Sequence, residues 1–61
     1  MKVGRYEIAK GERVTADVVW KDGRRTTTSG TLITVADDKA YIDTALGAVE
    51  VDAETVEPEG A

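Results

Sequence analysis

The residue types best placed to do chemistry lie together in Trp20-Lys21-Asp22-Gly23-Arg24-Arg25. Three cations flank a turn signal beside the only tryptophan of the chain. Cations grip phosphate while an aromatic face stacks on a base. Lys21, Arg24 and Arg25, with Arg13 on the strand that leads to them, are therefore candidate nucleic-acid contacts. Other chemistries lack their parts. Without His or Cys, Ser29 and the threonines have no imidazole base, and Ser29 beside Gly30 reads as a turn or bulge residue. The six glycines are dispersed, so no loop cradles a phosphate. Asp37 and Asp38 form a carboxylate pair, with Asp43 across a hairpin, but the spacing matches no calcium loop. The expectation is a chain that is not an enzyme, with no catalytic residue, no metal ligand and no cofactor.

The elements that must hold these residues are strands. No segment keeps a helical period, and Val and Thr are abundant. Residues 1–9 read as an N-terminal strand or arm, because Val3, Tyr6 and Ile8 do not alternate cleanly. After a turn at Lys10-Gly11-Glu12, Arg13 to Trp20 alternates: Val14, Ala16, Val18 and Trp20 share one face, Arg13, Thr15, Asp17 and Lys21 the other. Val19 puts a large apolar group on the polar face. The Asp22-Gly23 pair signals a hairpin, because Gly accepts the positive φ of a tight turn. Arg24 to Thr28 then returns antiparallel, Ser29-Gly30 interrupts it with a bend, and Thr31 to Val35 resumes. Further turns are expected at Ala36–Lys39 and Ala45–Gly47, strands at Ala40–Thr44 and Ala48–Asp52, and one 3₁₀ turn at Ala53–Val56 that tucks Val56 under the sheet. Residues 57–61 read as a disordered acidic tail.

Four or five short strands in so few residues indicate one all-β domain, a small barrel over residues 10–56 that limits exposed edges by curling. At Lys10-Gly11-Glu12-Arg13-Val14, Gly30-Thr31-Leu32-Ile33-Thr34-Val35 and Val49-Glu50-Val51 followed by Asp52 to Pro58, the chain resembles an SH3-like small barrel with some likeness to KOW-type modules. The resemblance implies a barrel of about five antiparallel strands closed by a 3₁₀ turn. A KOW-type relative would imply contact with RNA, ribosome or polymerase. The proline-rich ligands of signalling SH3 domains would need clustered aromatics, and this chain has one Trp and two Tyr.

On its face count Trp20 belongs to the core, where truncation to Ala would cost about 3–5 kcal/mol. That leaves Val19, Lys21, Arg24 and Arg25 as a candidate partner-binding surface at the hairpin. Val19 and one of Leu32 or Ile33 stand on the wrong faces, which suggests a second buried surface. The favoured expectation is a protein-interaction or assembly module, pairing with a protein partner or with itself as a homodimer. A nucleic-acid-binding module using the basic hairpin is the alternative. Charge divides along the chain, +3 over residues 1–25 and −7 over 26–61. A third reading follows: Asp37, Asp38, Asp43, Glu50, Asp52, Glu54, Glu57 and Glu59 would imitate nucleic-acid phosphates toward a basic partner. The uncharged runs are too short for a transmembrane helix. Arg5, Glu7 and Lys10 interrupt any apolar leader after Met1, so a cytoplasmic location with no membrane partner is expected. The Ala, Gly, Val, Thr, Asp and Arg usage suits a bacterial or phage accessory protein.

Overall fold

The computed structural model describes residues 1–60. It is all-β. Strands β1 (Lys2–Val3) and β2 (Tyr6–Glu7) form a small hairpin, and a second sheet follows: β3 (Arg13–Val19), β4 (Arg25–Ala36), β5 (Lys39–Thr44), β6 (Gly47–Asp52) and β7 (Glu57–Pro58). A 3₁₀ turn at Ala53–Thr55 links β6 to β7. Four consecutive antiparallel strands make a meander, and β7 returns to pair with β3, giving the order β6-β5-β4-β3-β7. Strands β3 and β6 approach each other without sharing a ladder, so the sheet curls on itself.

One long strand makes the curl. β4 pairs with β3 from Val19↔Arg25 to Arg13↔Thr31, and with β5 from Thr31↔Asp43 to Ala36↔Lys39. Gly30 sits where the two pairings meet. A Cβ there would lie 2.3 Å from the Asp43 carbonyl oxygen and 2.8 Å from Ile42 Cγ2, so only glycine lets the strands come this close. A register shift between Leu32 and Thr34 marks a bulge. It resolves the adjacency of two large apolar residues: Leu32 is buried, and Ile33 at the bulge is half-buried.

The core is filled chiefly by Val3, Ile8, Val14, Leu32, Ile42 and Val56, each essentially inaccessible. One expectation is sharpened by it and one corrected. Of the two readings of residues 1–9, strand or arm, strand is what forms, in two short pieces: Gly4-Arg5 turns the chain between β1 and β2, which broke the alternation, and Val3 and Ile8 enter the same core as Leu32 and Ile42. Residues 57–60 are no disordered tail. Val14 pairs with Pro58, Thr15 with Glu57, and the Glu59 N–H donates to the Arg13 carbonyl at 3.1 Å. The part of that expectation that concerns Ala61 lies outside the described residues. The turn at Ala53–Thr55 forms as read, with Val56 buried beneath the sheet.

Candidate functional site

Beyond the curled part of the sheet, β3 and β4 continue as a two-stranded arm. Every residue from Val19 to Thr27 is exposed. At its tip the Trp20 N–H donates to the Arg24 carbonyl at 2.8 Å and the Gly23 N–H to the Trp20 carbonyl at 2.9 Å. Gly23 takes φ 87°, as the hairpin signal required. Asp22 finishes the loop: one carboxylate oxygen accepts from the Arg24 N–H at 3.0 Å, the other from the Arg24 Nε at 2.9 Å.

Trp20 is not a core residue. It remains 40% exposed, and its indole N–H donates to the Thr26 hydroxyl at 2.7 Å. The alternation assigned its face correctly, since Val18 one step back on that face is only 7% exposed. What the face count does not supply is a layer opposite. By Trp20 the hairpin has outrun the rest of the domain, so an inward-pointing ring meets solvent. Val19, on the other face, is 60% exposed.

The four cations of the candidate surface have different circumstances. Arg24 is held by Asp22, and Arg13 pairs with Glu59 at 3.2 Å. Lys21 and Arg25 have no ion pair among the described residues. Arg25 stands opposite Val19 and lines an open groove of about 240 Å³ at the seam between β3 and β6. Asp17 and Val19 form one bank, Glu50 and Asp52 the other, with Lys39 on that far side. Thr55 ties the 3₁₀ turn to the near bank, its hydroxyl accepting from the Asp17 N–H at 3.3 Å. Arg13 lies at the opposite end of β3 and does not join Lys21, Arg24 and Arg25.

The groove's far bank is electrostatically tied. The Lys39 ammonium is paired with the Asp52 carboxylate, and this hydrogen bond with its charge raises the Lys39 pKa. Tyr41 donates its hydroxyl to Glu50 at 2.8 Å, which raises the phenol's pKa by favouring its neutral form. The acids do not gather as the sequence allowed: Asp43 lies at the opposite end of β5 from Asp37 and Asp38, about 16 Å of strand away. Among the described residues no group of three or more His, Cys, Asp and Glu is placed to hold a metal ion. No helix there is long and apolar enough to cross a membrane.

Sequence reasoning missed Lys39 and Thr55 as neighbours of the arm. Their proximity depends on the curl that brings β6 to β3, and only Gly30 hinted at it. The chain matches no family model, no curated protein and no solved structure.

Proposed function

We propose that this chain is an SH3-like small barrel that works by binding, as a protein-interaction or assembly module of the accessory kind. The order of its parts supports the architecture: a four-strand meander, a 3₁₀ turn, and a last strand returned to the first strand of that meander. One observation carries the functional reading. The arm exposes Val19 and Trp20 on its two faces, flanked by Lys21 and Arg25, which make no ion pair among the described residues. An amphipathic aromatic beside an unpaired arginine is the composition of interface anchors. Affinity capture on nuclease-treated lysate tests it with wild type and Val19→Lys,Arg25→Glu side by side. Proteins retained by wild type and lost by the variant are expected. An identical set on both would remove the arm from the reading.

A second reading, nucleic-acid binding, is favoured by the exposed Trp20 ring beside Lys21 and Arg25. Retention on single-stranded DNA or RNA that weakens with salt and with Trp20→Ala would support it. No retention at low salt ends it.

A further inference from the structure

We propose that the partner of the arm is a second copy of this chain, joined strand to strand through the open edge of β4 about a two-fold axis at Thr27. This inference rests on the assembly reading above and names its partner.

The hydrogen-bond alternation of the hairpin fixes which groups are free. The Trp20-to-Arg24 bond closes the ladder, so on alternate residues the backbone turns away from the hairpin partner. On β3 those residues are Arg13, Thr15, Asp17 and Val19, as the bonds from Glu59 to the Arg13 carbonyl and from Asp17 to Thr55 confirm. On β4 they are Arg25, Thr27, Ser29 and Thr31. Thr31 is taken up by β5, but the β5 ladder stops there. Arg25, Thr27 and Ser29 therefore direct their N–H and C=O groups to solvent along an edge with no Pro, no bulge and no acid. Natural edges left in this state are pairing sites.

Two-fold antiparallel pairing about Thr27 matches these groups without remainder. Thr27 meets Thr27 of the other copy, and Arg25 meets Ser29 twice, so every outward residue finds a bonded partner. Between them Thr26 meets Thr28, a favourable cross-strand pair. No like charges face each other. On the same outer face, one pair further along, stands Asp43, which has no cation partner among the described residues, so each unpaired Arg25 approaches an unpaired acid. The other free edge lacks this match. The bond from Ala53 to the Asp38 carbonyl sets the β6 alternation, turning Ala48, Glu50 and Asp52 outward. Two-fold pairing there would set Glu50 against Glu50.

Sedimentation across concentrations up to millimolar, with Thr27→Lys, Thr27→Glu and Ala48→Lys, tests the proposal, with circular dichroism to show each variant folded. Wild type and Ala48→Lys should form dimers. Each charged Thr27 variant should stay monomeric alone, and an equimolar mixture of the two should recover a dimer. Because the chain has no cysteine, Thr27→Cys adds a covalent readout. A bonded antiparallel pair holds its Cα atoms about 5.5 Å apart, within disulfide reach, so mild oxidation should cross-link Thr27→Cys and not Ala48→Cys. A wild type that stays monomeric throughout overturns the dimer and leaves the assembly reading to the capture experiment. A dimer that survives in both charged variants, or that Ala48→Lys disrupts, overturns this edge as its site. Should the two charged Thr27 variants fail to fold, cross-linking of Ala48→Cys in preference to Thr27→Cys would still refute it.

Discussion

The two halves of β4 are one continuous strand of similar composition with opposite circumstances. From Thr31 to Ala36 it is paired with β5 and carries Leu32 into the core. From Arg25 to Ser29 it has only β3 beside it and presents Thr26, Thr27 and Ser29 to solvent. Threonine is common to both halves, so β propensity does not distinguish them. What differs is the second neighbour, and Gly30 stands at the boundary. Stability in this protein is concentrated where the strand is shared, and the surface available to a partner begins where sharing stops.

The contrast can be broken at graded cost. Leu32→Ala, in the shared half, should cost about 2–5 kcal/mol in urea unfolding, enough to leave a 61-residue domain largely unfolded. Gly30→Ala forces a methyl toward a backbone carbonyl that has no flexible end to retreat, and about 1–3 kcal/mol should be lost. A near-neutral result would show that the two strands can separate there and that the close approach is not what bends the sheet. Trp20→Ala, on the arm, should cost under about 1.5 kcal/mol, since it gives up a partly exposed ring and one surface hydrogen bond. A cost as large as that of Leu32→Ala would mean that the arm folds back onto the domain.

The smallest effect is one of pH. Tyr41, opposite Thr34 of the shared half, has its pKa raised above the ordinary 10.0 by its hydrogen bond to Glu50. A phenol held neutral by folding contributes stability that is complete below its unfolded pKa and disappears as pH rises through the raised one. A phenolate absorbance titration should show one tyrosine ionising late, and Glu50→Gln should remove that component.

Much of this architecture was legible in the chain. Arg13 to Trp20 alternates because one side of β3 meets the core and the other meets water, and that contrast is written in residue types. Gly30 announced the bend, and Val56 after a short polar turn announced the residue tucked beneath the sheet. Trp20 was misplaced because alternation reports direction and carries no information on what stands opposite. Val3, Tyr6 and Ile8 showed no clean alternation because a two-residue strand is too short to display a period. Pro58 was misread for a related reason: a proline near an acidic chain end resembles loose chain, yet on an edge strand the missing N–H costs nothing on the open side. The seam that brings Lys39 and Asp52 toward Arg25 is a property of the whole curl, and no local pattern encodes it.

The position of Trp20 also governs how the protein will look to a fluorimeter. Its sole indole sits on the projecting arm, 40% exposed and bonded to a neighbouring hydroxyl. Emission from the native chain should already be shifted to the red, and loss of the core should change it little. The same indole will respond to whatever covers the arm, so this chain carries a spectroscopic label better suited to watching association than to watching folding.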